Sequence, residues 1–250
     1  MKLFILAAGK GERLWPLTRN TPKSLIDFGD GTTILERQIE NALQSRLFSQ
    51  INIVTGYKSE QIEAKLKDLR PSIPINTIFN PVFDLTNNLI SLWAAHLAML
   101  DEDFMVTNGD NIYIADVFRK VRSDRDELIQ LTIDYKDEYD GDDMKVRFAH
   151  GRTIGRVHKD IPVDQTDAES VGLALIKGEK SRRMFINTMV ELVRDKEYLQ
   201  KFWLEVFNAL AESGVAVETA EIDQSEWQEV DFHPDIDVMK QIVFRSRPDK

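Results

Sequence analysis

The 250-residue chain contains no cysteine. That absence excludes a disulfide scaffold, a thiolate nucleophile, a zinc knuckle and iron–sulfur ligation together. Histidine is scarce too: His96, His150, His158 and His233 are scattered, with no pair at metal-ligand spacing. Positive charge is in short supply, because 32 Lys and Arg against 42 Asp and Glu leave a net charge of −10. Such a field repels phosphate backbones and argues against nucleic acid as the main partner. A small anion is still compatible with it wherever local bases hold the ligand. No apolar run reaches the roughly 18 residues of a membrane span, so no membrane insertion is expected. The run Leu3 to Ala8 is too brief for a signal-peptide core, and charged Lys10, Glu12 and Arg13 follow it. The expectation is a cytoplasmic protein.

What is present is ordinary globular composition, 42% hydrophobic and 30% charged, in a chain long enough to bury a core unaided. Leu3 to Ala7 is an unbroken apolar run, as a strand covered on both faces requires. Thr33 and Glu36 form a capping box before a stripe of Ile34, Leu35, Ile39, Ala42 and Leu43. Further strands are predicted over 51–55, 75–79 and 104–107, with a helix capped by Ser59 and another over 88–100. Strand and helix thus alternate four times, the pattern of a parallel α/β sheet. Later strands are expected over 128–135, 144–149, 153–157 and 170–176, with His150-Gly151 as a hairpin turn. Helices near 181–194 and 199–213, a short strand, and a helix after Pro234 complete the reading. We expect one domain with a Rossmann-like mixed, mostly parallel sheet flanked by helices. Its nucleotide lobe would span about residues 1–115 and its substrate lobe about 116–250. Nothing in the sequence decides between a monomer and a homo-oligomer.

Ligands of such sheets bind beyond the carboxyl ends of the strands. The loops expected to meet there are 8–23, Gly56-Tyr57, 80–88 and 108–111. The first contains Gly9-Lys10-Gly11-Glu12-Arg13-Leu14. Leu14 stands where a dinucleotide fingerprint needs its third glycine, and no Gly-Lys-Ser/Thr closes a P-loop. Ala7, Ala8, Gly9 and Gly11 nevertheless allow backbone amides to approach a polyphosphate. Arg13 adds a planar fork for phosphate oxygens and Lys23 a point charge. Tyr57, Asn87, Asn88 and Ser91 are placed to offer hydrogen bonds to a base, although Asn88 equally suits a helix N-cap.

The segment Leu6–Lys23, LAAGKGERLWPLTRNTPK, resembles the signature of the sugar-phosphate-type nucleotidyltransferases. Those are Rossmann-like enzymes that join an NTP to a phosphorylated small molecule and release pyrophosphate. Asn87-Asn88-Leu-Ile-Ser91-Leu92 and Glu229-Val230-Asp231 are similar to the bacterial phosphocholine cytidylyltransferase branch. The hexose enzymes usually carry a Gln-Ala-type helix start in place of Asn87-Asn88. The resemblance implies CTP, Mg²⁺ as cofactor, Asp110 and Asp231 as its ligands, and Gly109 beside the nucleotide. It also implies phosphate contact by Lys159 and substrate contact by Glu169. Trp203 and Trp227 lie where that branch has aromatic residues, and Tyr139 is a further candidate for a cationic head group. Trp203 also fits as core in an amphipathic helix. The acidic stretch 135–143 departs from the branch, yet an acidic wall favours a cationic substrate such as a phosphoethanolamine or an aminoalkylphosphonate. Other readings are a hexose- or inositol-phosphate nucleotidyltransferase, or a non-catalytic nucleotide-sugar sensor. Intact Gly9, Gly11, Arg13, Lys23, Asp110 and Asp231 argue against decay to a sensor.

Overall fold

In the computed structural model, which describes residues 1–27 and 29–231, the apolar run at the N-terminus is an interior strand of the sheet. The first half consists of β1 (Lys2–Ala7), α1 (Ile34–Ser45), β2 (Gln50–Thr55), α2 (Ser59–Asp68), β3 (Ile75–Phe79), α3 (Asn88–Ala94) and β4 (Phe104–Asn108). β4 and β2 flank β1 in parallel register, and β3 extends the sheet beyond β2. Period-2 alternation then sorts the side chains between two layers. Phe4, Leu6, Val54 and Val106 face Leu89 and Leu92 of α3. Leu3, Ile5, Ile51, Ile53 and Met105 face Leu35 and Ile39 of α1. The capping box at the start of α1 is formed, with Thr33 and Glu36 each accepting the other's backbone N–H.

The second half adds β5 (Asn111–Tyr113), α4 (Val117–Lys120), β6 (Leu128–Asp134), β7 (Lys145–Phe148), β8 (Ile154–Val157), β9 (Ala168–Lys177), α5 (Glu179–Leu192), α6 (Glu205–Glu212), β10 (Glu218–Glu221) and β11 (Trp227–Glu229). β9 runs antiparallel between β4 and β6, giving the order β10-β6-β9-β4-β1-β2-β3. β7 pairs with β9 and β8, and the turn at Gly151 has positive φ. Among the described residues one mixed sheet of nine strands therefore runs through both halves, with α3, α5 and α6 packed on one face.

Local readings differ from the structure where tertiary contacts intervene. The expected helix over 88–100 ends at Ala94, and His96–Met99 tightens into a 3₁₀ turn. The expected helix over 199–213 is broken at Lys201, because the backbone there turns outward to pair with Asn87 and Leu89. Ser59 is the first helical residue rather than the cap, which is Lys58 in a left-handed conformation. Asn88 is likewise the first residue of its helix; Asn87 caps it by accepting the Asn88 N–H. The helix expected after Pro234 lies outside the described residues.

Candidate active site

β1 and β4 end side by side, and the turn after β4 lies against the end of β1. The Gly109 N–H donates to the Leu6 carbonyl oxygen at 2.9 Å. A Cβ on Gly109 would fall 2.5 Å from that oxygen, so only glycine allows this approach. Asp110 thereby emerges at the carboxyl edge of the sheet, over the glycine loop. β11 pairs antiparallel with β5, and the Val230 N–H donates to the Asp110 carbonyl oxygen. This pairing carries Asp231 across 121 residues of chain to the same place. Because side chains alternate along an extended segment, Glu229 and Asp231 point the same way. One carboxylate oxygen from each of Asp110, Glu229 and Asp231 lies within 4.8 Å of the others.

Lys23 places its ammonium between two of these carboxylates, 2.7 Å from Asp110 and 2.8 Å from Asp231. Arg13 reaches Asp231 at 3.0 Å and Asp142 at 3.4 Å. Burial alone would lower the Lys23 pKa, but Asp110 and Asp231 outweigh it and hold the ammonium charged. Burial would raise Asp231, yet Lys23, Arg13 and Lys159 bring it below the usual carboxylate range. Among the described residues Glu229 makes no ion pair, and Lys23 pulls on it only at longer range. Burial, and then the charges of Asp110 and Asp231, push it well above that range. Crowding three carboxylates together thus leaves Glu229 holding a proton that a bound cation would replace. All three donors are hard carboxylate oxygens, as Mg²⁺ requires, and oxygens sharing one Mg²⁺ stand about 3–4 Å apart. The chemistry of the donor set fits that ion.

The trio forms one wall of a cleft of about 310 Å³. Of the residues expected at a nucleotide or phosphate, Ala7, Ala8, Gly9, Gly11, Arg13, Lys23, Asn87, Asn88, Ser91, Gly109 and Lys159 all line it. Gly56 and Tyr57 do not line it. Gly56 packs under Phe83, and Tyr57 braces the glycine loop through its N–H to the Ala8 oxygen and its hydroxyl to the Arg19 oxygen. Asn87 has its side chain committed to the Asn88 N–H and the Gln200 oxygen. Asn88 accepts the Trp203 N–H at 2.8 Å.

Trp203 reaches the cleft wall but is 1% exposed, with its ring against Phe207 and its indole N–H on Asn108. It has no free face for an ammonium group. Trp227 is also buried, with its indole N–H held by Asp134 at 2.8 Å. Tyr139 lines neither cavity; its hydroxyl sits between the Lys136 N–H and the Asp167 carbonyl. The expected aromatic box is therefore not assembled from these residues, because packing has claimed them.

Glu169 and Trp227 instead border a smaller annex of about 170 Å³ that shares Asp142, Glu229 and Asp231 with the cleft. Lys136 sits there between Glu169 at 2.5 Å and Asp143 at 2.9 Å. Those two carboxylates outweigh burial and push the lysine up to about 12. With one ammonium for two acids, Asp143 takes the charge and falls below its usual range. Burial pushes Glu169 up to about 8, against the pull of Lys136. A carboxyl raised in this way binds its proton more tightly folded than unfolded. Its contribution to stability is full below pH 4.5 and is lost as pH climbs through 8. Glu169→Gln is therefore expected to lose less stability than the parent between about pH 5 and pH 9. Urea unfolding across that range measures this, and parallel curves would refute it.

Sequence reading missed Glu229, Lys136 and Asp143. The first carries a usable signal, since an acid two residues before Asp231 in an extended segment must share its face. The other two fall in the acidic stretch 135–143, which reads as a wall for a cationic group without marking either residue.

The nucleotidyl transferase family model matches residues 2–140. A CTP:phosphoglutamine cytidylyltransferase of Campylobacter jejuni is 26% identical over 95% of this chain and 98% of its own. A choline-phosphate cytidylyltransferase of Streptococcus pneumoniae is 30% identical over 72% of this chain and 79% of its own. Among solved structures, an inositol-1-phosphate CTP transferase from T. maritima superposes with a TM-score of 0.79. It covers 98% of this chain and 95% of its own at 20% identity, a likeness of fold. With the glycine loop, the two bases and the carboxylate trio gathered at one sheet edge, the chain belongs to the nucleotidyl transferase family.

Proposed function

We infer that the chain is a cytidylyltransferase that joins CTP to a small phosphorylated or phosphonate acceptor with a cationic end, and that it works in the cytoplasm with Mg²⁺. The observation that carries this reading is the charge layout. Arg13, Lys23 and Lys159 stand in the cleft, and the acidic annex opens directly beside them. Both named relatives are described as cytidylyltransferases, one of them with CTP in its description, and they support the choice of nucleotide.

The acceptor phosphate is already anionic near neutral pH, so no side chain has to remove a proton from it. One of its oxygens forms a bond to the α-phosphorus of CTP while the bond from that phosphorus to the bridging oxygen of pyrophosphate breaks. The chain's contribution is positioning and charge. The glycine-loop amides and Arg13 hold the triphosphate, Lys23 neutralises the departing pyrophosphate, and Lys159 orients the acceptor phosphate. Bound Mg²⁺, held by Asp110, Asp231 and Glu229, would supply further neutralisation of phosphate oxygens. Asp140, Asp142 and Asp143 would face the acceptor's cationic end.

Pyrophosphate release tests this, with CTP, UTP, ATP, GTP and dTTP crossed against phosphocholine, phosphoethanolamine, 2-aminoethylphosphonate, inositol-1-phosphate and glucose-1-phosphate. Turnover is expected with CTP and an amino-bearing acceptor, and it should stop on chelation. Turnover with glucose-1-phosphate alone would remove the cationic-acceptor reading. Nucleotide binding without turnover in any well would favour a sensor.

A further inference from the structure

Among the buried polar groups, Gln38 stands apart. It lies on the inner face of α1 at 3% exposure and does not itself line the cleft. Its side-chain amide donates to the Asn108 carbonyl at 2.8 Å and to the Asn111 carbonyl at 2.6 Å. Those two carbonyls bracket the Asn108–Asn111 turn, whose third residue is Asp110. Both partners are acceptors, so only an NH₂ group satisfies them; a carboxylate in the same place would face two carbonyl oxygens. From the cleft side, the same turn is held by the Gly109 N–H on Leu6 and by the Val230 N–H on Asp110.

We propose that Gln38 is a positioning residue: its amide clamps the turn from behind and fixes the direction in which Asp110 presents its carboxylate to a divalent cation. The proposal rests on the metal reading given above. Asp110 has no hydrogen bond from Gln38 itself, so the effect passes through the backbone of the turn. Groups that orient a metal ligand without touching the metal typically change affinity by about 10- to 100-fold when removed. Asn41, one turn along on α1, makes a comparable bond to the Tyr113 carbonyl, which lies past the turn. It provides a control for loss of a helix-to-strand hydrogen bond alone.

The test is Mn²⁺ binding in the presence of CTP, followed by electron paramagnetic resonance, on the full chain and on Gln38→Met and Asn41→Ala. Gln38→Met is expected to weaken Mn²⁺ at least tenfold while Asn41→Ala stays within about twofold of the parent. Equal affinity in Gln38→Met and the parent overturns the proposal, and so does an equal loss in Asn41→Ala. A parent that binds no Mn²⁺ overturns the metal reading and this proposal together. If Gln38→Met does not fold, exchange of the Gln38 side-chain amide protons in the unaltered protein decides the matter. Linkage makes the coupling reciprocal, so that exchange rate should differ at least tenfold between metal-free CTP and CTP with Mg²⁺. An unchanged rate overturns the proposal.

Discussion

Asp110→Asn is expected to lower kcat/KM for the CTP reaction by about a thousandfold or more. The substitution keeps the shape and the bond from the Val230 N–H to the Asp110 carbonyl, and weakens only the side-chain ion pair with Lys23. What it removes is one of three hard donors and one unit of charge from the site. Lys23 keeps Asp231 at 2.8 Å, so folding should be little affected, and the thermal midpoint is expected to stay within a few degrees of the parent. Steady-state kinetics over a Mg²⁺ titration provide the check. A variant that regains parental kcat at ordinary Mg²⁺ concentrations would show that Asp110 is not a ligand.

Lys23→Met acts on folding and on turnover in different directions of metal dependence. Without the ammonium, Asp110 and Asp231 face one another beside Glu229 with too little positive charge. Breaking a buried ion pair typically costs about 3–5 kcal/mol. Here the carboxylates are 24% exposed and Arg13 still meets Asp231, so a loss of about 2 kcal/mol is expected in metal-free buffer. Mg²⁺ should restore part of that stability, because it binds the native trio and not the unfolded chain. Turnover should not return with it: the charge that meets departing pyrophosphate is gone, at a cost of about a hundredfold or more in kcat. Urea unfolding with and without Mg²⁺, beside single-turnover rates, separates the two effects. Unchanged metal-free stability would mean that Lys23 does not neutralise the trio, and near-parental turnover would remove it from the chemistry.

The sequence was most legible where a single element carries its own signal. The run Leu3–Ala7 announces a strand buried on both faces, and Thr33 with Glu36 announces a helix start; both are formed. Glycines, Arg13 and Lys23 within 15 residues of chain mark a phosphate-binding loop before any fold is known, because the chemistry and the turn occupy the same stretch. The reading was weakest where a residue's part depends on remote partners. Trp203 and Trp227 look alike in sequence as aromatic candidates, yet both are enclosed by packing and hold their indole N–H groups on Asn108 and Asp134. Tyr57 has the right neighbours for a base contact but turns its hydroxyl to Arg19. The stretch 199–213 has helical periodicity throughout, and its break at Lys201 comes from hydrogen bonds with the start of α3.

By itself, then, the sequence determined the alternating α/β pattern, the glycine loop with its two bases, and the need for Asp110 at a strand end, because each follows from local periodicity and turn chemistry. Only the tertiary structure decided that Glu229 joins Asp110 and Asp231, that Gln38 bonds the turn from behind, and that Lys136 sits between Glu169 and Asp143 in an acidic annex. The physical reason is the same in each case. Burial and Coulomb interaction depend on distances in space, which for Asp110 and Asp231 the antiparallel pairing of β11 with β5 sets across more than a hundred residues of chain.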